Sequence, residues 1–240
     1  MTRSALTALA TLVFALTAHA HASQDKEKKA VKLNKPFEIG ELEKKVFHVS
    51  FPAGQKATIR VKSSEDTDVD LYVEEMDGTD VVSDTDPSKD CMVEFTPLKN
   101  KTYRISVINL GPGGNSCLLT HNGKDEKVDF GKLTTTKPFK VVEDGSHIIN
   151  VKFEQDKLSA VWVTSEQATD VDVFVFDPDG REIAKDEHVS KDAFVSFIPK
   201  TTGMYRIEVR NLGQGDNTCT IKHTTADEAK KETPKNEENR

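Results

Sequence analysis

The sequence repeats itself at an offset of 102 positions, and its two halves fall into register without a gap. Lys35-Pro36-Phe37 meets Lys137-Pro138-Phe139, and Thr67-Asp68-Val69-Asp70 meets Thr169-Asp170-Val171-Asp172. Tyr103-Arg104-Ile105 meets Tyr205-Arg206-Ile207, and Asn109-Leu110-Gly111 meets Asn211-Leu212-Gly213. About a third of positions 35 to 122 are identical to their partners. This period is far longer than a solenoid repeat, so each copy is long enough to be a domain with an interior of its own. The predicted domains are residues 35–122 and 135–223, joined by a linker over 123–134.

Within each copy the apolar residues alternate. Val69, Leu71 and Val73 alternate with acids and a tyrosine; Tyr103, Ile105 and Val107 alternate with polar residues. The second copy repeats this at Val171, Val173 and Val175 and at Tyr205, Ile207 and Val209. A period of two over short runs is the mark of strands with one buried face. Turn residues separate the runs, among them Asp77-Gly78, Asp177-Pro178-Asp179-Gly180 and the loops Asn109–Asn115 and Asn211–Asn217. The pattern predicts an all-β protein: two tandem antiparallel β-sandwiches of jelly-roll-like type, with roughly eight strands in each.

Outside the repeat the chain changes character. Arg3, the uncharged apolar run from Ala5 to Ala18 and the small-x-small sites Ala18-His19-Ala20 and Ala20-His21-Ala22 read as a secretory signal peptide over residues 1–22. The run is too short for a comfortable membrane span, so export to the periplasm or the extracellular space is expected, with no span after cleavage. Residues 23–34 and 224–240 are charged and aperiodic, and are expected to be mobile tails. The net charge of -7 argues against a nucleic-acid partner. The three cysteines, Cys91, Cys117 and Cys219, cannot all pair within one chain. Cys91 and Cys117 could bond across the first copy, but Ala193 replaces Cys91 in the second while Cys219 remains. Buried cysteines acting as small hydrophobes are therefore expected.

The strand Asp68-Val69-Asp70-Leu71-Tyr72, the turn at Gly78 and the strand Tyr103-Arg104-Ile105-Ser106-Val107 together resemble the pre-peptidase C-terminal (PPC) domain. The second copy departs from that motif, with Val173-Phe174 in place of Leu-Tyr. The resemblance implies a β-sandwich found beside secreted peptidases, although no peptidase domain accompanies the two copies here. It also implies binding rather than catalysis, with calcium in some relatives.

Four aspartates and four aromatics are the candidate site residues. By alternation Asp68, Asp70 and Tyr72 point outward, as do Asp170, Asp172 and Phe174. Paired carboxylates on one face could supply oxygen ligands to Ca²⁺, which takes six to eight. The other reading is that these acids keep an outer face soluble and cap strand starts. In the second copy Trp162 stands where the first has Arg60, and Phe176 stands where it has Glu74. With Phe174 this gives three outward aromatics on two consecutive strands, beside Tyr72 in the first copy. Such a patch is either a ligand platform or the contact between the two domains. No catalytic motif is present: His147 and His188 lack counterparts, and His121 and His223 recur without a matched nucleophile. The expectation is a secreted, non-catalytic binding or adhesion protein for protein or polysaccharide at the cell surface. The alternatives are an accessory or chaperone-like partner of a secreted peptidase and a hydrolase with an interdomain site.

Overall fold

The computed structural model describes residues 36–226; the predicted signal peptide, the tail expected over 23–34 and most of that over 224–240 lie outside the described residues. The first copy holds β1 (Phe37–Ile39), β2 (Lys44–Phe51), β3 (Ala57–Ser63), β4 (Val69–Glu75), β5 (Asp80–Asp84), β6 (Cys91–Phe95), β7 (Lys101–Asn109), β8 (Asn115–His121) and β9 (Lys124–Asp125). The second holds β10 (Leu133–Thr135), β11 (Phe139–Val141), β12 (Ser146–Phe153), β13 (Ser159–Ser165), β14 (Val171–Phe176), β15 (Glu182–Asp186), β16 (Ala193–Phe197), β17 (Gly203–Asn211) and β18 (Asn217–Thr224). No helix occurs among the described residues, and so none there is long and apolar enough to cross a membrane.

Each copy is a sandwich of two antiparallel sheets. In the first, the sheet β1-β8-β3-β6 faces the sheet β5-β4-β7-β2-β9. In the second, β10 and β11 both pair with β18, which continues to β13 and β16, and this sheet faces β12-β17-β14-β15. The register repeats with the sequence offset: Tyr103 lies opposite Val49, and Tyr205 opposite Val151. Alternation fills two separate interiors. One contains Val49, Ile59, Leu71, Val93, Ile105 and Leu119; the other contains Val151, Val161, Val173, Val195, Ile207 and Ile221. Burying these side chains removes apolar surface from water at about 25 cal/mol per Å², so each copy has its own source of stability.

The segment read as a linker is partly built into the sheets. β9 pairs with β2, and β10 pairs with β18, so only residues 126–132 cross between the copies. At each sandwich the incoming edge strand runs antiparallel to the last long strand. Leu133 lies opposite Thr224, the outgoing end of β18, whereas Phe37 lies opposite Cys117, nearer the start of β8.

The turns carry the same backbone bonds in both copies. Gly78 and Gly180 take φ of 90° and 82° and donate to Glu75 O at 3.0 Å and Asp177 O at 2.9 Å. This is the left-handed turn geometry that favours glycine. At the other end of the sandwich Gly111 permits a close approach: an added Cβ would sit 2.5 Å from Thr67 Cβ. The cysteines are free and buried; Cys91 Sγ donates to Val69 O, and burial pushes its thiol up to about 12.

Candidate binding faces

Two like sandwiches meet through unlike faces. The outer face of β4, β7 and β2 in the first copy packs on the outer face of β13 and β16 in the second. Arg104 of β7 is buried; its guanidinium pairs with Glu74, with Nε 2.8 Å from Glu74 Oε2, and lies 5.1 Å from the Phe194 ring of β16. Beside it the Ser196 hydroxyl donates to Met76 O at 2.6 Å. At one margin Lys44 of β2 pairs with Asp186, which also accepts from His188 at 2.7 Å, and the His188 ring lies 3.9 Å from that of Tyr72. Burial opposes charge on Asp186, but Lys44 and His188 outweigh it and hold its carboxyl well below the usual range. A backbone hook closes the contact: Leu42, at φ 52°, offers its carbonyl to Ser190 Oγ at 2.8 Å and Lys191 N at 2.7 Å.

The crossing segment supplies an aromatic wedge. Phe130 stands 5.1 Å from Trp162, 6.1 Å from Phe194 and 5.8 Å from His48. His48 is held among these rings with its Nε2 buried and unpartnered. Burial, helped by the nearby Arg104, lowers its pKa to about 4. Trp162 thus belongs to the contact between the copies.

Phe174 and Phe176 are not on that surface. β13 and β14 follow each other in the chain but lie in opposite sheets, so Trp162 does not share a face with Phe174 and Phe176. Tyr72 sits at the contact, against His188. Phe174 and Phe176 lie on the outer face of β12-β17-β14-β15, which is the counterpart of the covered face in the first copy. Here it is uncovered. Arg210 lies over Phe174 at 4.2 Å and Arg206 over Phe176 at 3.7 Å, and Glu208 between them accepts from Arg210 Nε at 2.7 Å and pairs with Arg206. Ile148 and Met204 flank the ladder, 49% and 54% exposed. Guanidinium planes over aromatic rings keep the rings in low-entropy positions while leaving edges and charge available.

Asp68 and Asp170 are half-exposed, whereas Asp70 and Asp172 are not solvated as an outer soluble face requires. Asp70 and Asp172 are 5% and 4% exposed. Asp68 and Asp170 do cap the turns before β6 and β16, accepting from Ser88 N at 3.2 Å and Ser190 N at 3.0 Å. Asp70 accepts from Tyr72 Oη at 2.8 Å; Asp172, beside a phenylalanine, has no such donor. Burial, then the neighbouring Asp170, Glu187 and Asp186, push Asp172 up to about 7. Among the described residues no three His, Cys, Asp or Glu side chains converge to hold a metal ion, which does not fit the oxygen shell that Ca²⁺ takes. Sequence reasoning missed Lys44, Asp186, Phe194 and Phe130. The signal available was the replacement of Met92 by Phe194, of Glu94 by Ser196 and of Arg60 by Trp162 on outward positions of equivalent strands.

No family model and no curated protein matches the chain. Among solved structures it is similar to the PBSX exported protein XepA, at 12% identity and a TM-score of 0.28, covering 81% of this chain and 85% of the other. It is similar to the tandem CBM22-1-CBM22-2 domains of Paenibacillus barcinonensis Xyn10C, at 9% identity and a TM-score of 0.25, covering 75% and 79%. The M60 catalytic domain with CBM51-1 and CBM51-2 of Clostridium perfringens ZmpB matches at 9% identity and a TM-score of 0.26, over 80% of this chain and 34% of that one. These likenesses are too distant to bear on ligand or site.

Proposed function

We propose that this chain is an exported, non-catalytic binding protein built from two PPC-like modules. It holds a protein or polysaccharide at the cell surface with the outer face of β12-β17-β14-β15. One observation carries this reading: the same sheet face is covered in the first copy and uncovered in the second, where it presents Ile148 and Met204 beside the half-buried Phe176, with Phe174 buried beneath Arg210. At the contact between copies stands one pair of the type that acyl-transfer sites use. There His188 and Asp186 form a pair, yet no serine, threonine or cysteine side chain among the described residues hydrogen-bonds His188. A pair without a nucleophile in reach does not assemble acyl-transfer chemistry.

The test uses the chain without residues 1–22 as bait against the secreted proteins and the cell-wall polysaccharides of its own source. Ligand capture that is lost in Ile148→Asp/Met204→Asp, two exposed positions, supports the reading. Capture unchanged by that pair, or no capture at all, overturns it. A secreted peptidase as the captured ligand would identify the protein as that enzyme's accessory.

A further inference from the structure

The contact between the copies is heterologous, joining face to unlike face, and such a contact repeated between chains builds a ring or an open filament instead of a two-fold pair. Both halves of it recur unused at the two ends of the molecule. We infer that chains associate head to tail, the open face of the second sandwich receiving the outer face of β3 and β6 from the first sandwich of another copy. The inference rests on the reading of the open face as a binding surface.

The backbone hook is the most specific sign. Leu42 corresponds to Asp144, which takes nearly the same left-handed φ, 53° against 52°, and is exposed. Ser190 and Lys191 correspond to Ser88 and Lys89, both exposed on the equivalent turn. That turn is fixed by the same bond in each copy, from Ser88 N to Asp68 and from Ser190 N to Asp170. A left-handed carbonyl position and the turn backbone that meets it therefore recur at opposite ends of one chain, with the Ser88 hydroxyl turned onto Asp90 O at 2.7 Å and needing to rotate to complete the hook.

The side chains follow the same logic. Arg104 meets Ser196 within the chain, at 3.4 Å from Nη1 to Oγ. Their counterparts are Arg206 and Glu94, so the repeated contact would replace a neutral partner by a carboxylate. Phe194 corresponds to Met92, a flexible apolar side chain that is 43% exposed and able to fit the Arg206 and Asn150 positions. The contact between chains lacks three elements of the one within the chain. Ser146 replaces Lys44, Arg60 replaces Trp162, and the Phe130 wedge has Lys28 as its counterpart. The association is therefore weaker than the covalently tethered contact and depends on concentration and salt.

Sedimentation velocity of the chain without residues 1–22, from low to high micromolar concentration, should show growth from monomer through dimer to longer species. Arg206→Glu should weaken this about tenfold by facing Glu94 with a like charge, and adding Glu94→Arg should restore it. Mixing Arg206→Cys chains with Glu94→Cys chains under mild oxidation should trap a heterodimer that Arg206→Cys with Asp66→Cys does not give. A monomer at every concentration, or association that the charge reversal leaves unchanged, overturns the inference. A monomer that still captures an outside ligand through Ile148 and Met204 overturns it while leaving the proposed function standing.

Discussion

Lys44 of the first sandwich and Asp186 of the second form an ion pair in which both side chains are almost completely hidden, at 2% and 3% exposure. Neither charge has water to fall back on. Removing Lys44 leaves the Asp186 charge buried with only His188 and the Phe194 and His188 amides to hold it. Lys44→Met should cost about 3 kcal/mol in urea unfolding, and Lys44→Met with Asp186→Asn, which removes the charge and keeps an acceptor for the Phe194 amide, should recover part of that loss. A double variant no more stable than the single one would show that the pair matters for some other reason.

His48 gives the contact a sensitivity to acid. The native state keeps it neutral down to about pH 4, whereas the unfolded chain takes up a proton near 6.5. The unfolded state therefore binds more protons across that window, and stability falls as pH drops through it. His48→Phe should remove about 1 to 2 kcal/mol of this loss at pH 5 and little at pH 8, read from denaturant midpoints.

Asp172 acts with the opposite sign. Its carboxyl stays protonated in the native state up to about 7, while the unfolded chain releases the proton near the ordinary value of 3.8. Between those limits the native state holds more protons, so this group's contribution to stability falls as pH rises. Asp172→Asn should match the parent near pH 4 and exceed it by a few kcal/mol at pH 8. Equal stability at both ends would show that the carboxyl is not under this pressure.

Phe130 is the part of the crossing segment that touches both sandwiches. Phe130→Ala should leave each interior intact and cost roughly 1 to 2 kcal/mol through lost ring contacts. The emission of Trp162, the one tryptophan in the chain, should shift to the red as water reaches its exposed edge. An unshifted spectrum would mean that Phe194 alone shields the indole.

The fold was largely legible because alternation is a local property. Val69, Leu71 and Val73 announce both the strand and its buried side, and Gly78 announces the turn that follows. What alternation cannot say is which sheet a strand joins or what covers its outer side. β13 and β14 are consecutive and similar in pattern, yet the chain crosses between sheets there, which separates Trp162 from Phe174. The acids of β4 and β14 were misplaced for a related reason. A strand position that points away from its own core was read as solvated, but Asp70 is covered where the second copy docks, and Asp172 is hidden beside Phe174 on its own sheet. Contacts between domains depend on pairs far apart in the chain, such as Lys44 with Asp186, and no local period encodes them.

The edge pairing of β10 with β18 has a mechanical consequence. In the second sandwich the entering and leaving segments emerge side by side at one end of a sheet, at Leu133 and Thr224. A pull on the chain across that sandwich would therefore peel the edge strand away one hydrogen bond at a time instead of shearing the ladder all at once. Tension would detach the short strand Leu133–Thr135 first, lengthening the molecule at low force while the interior stays closed.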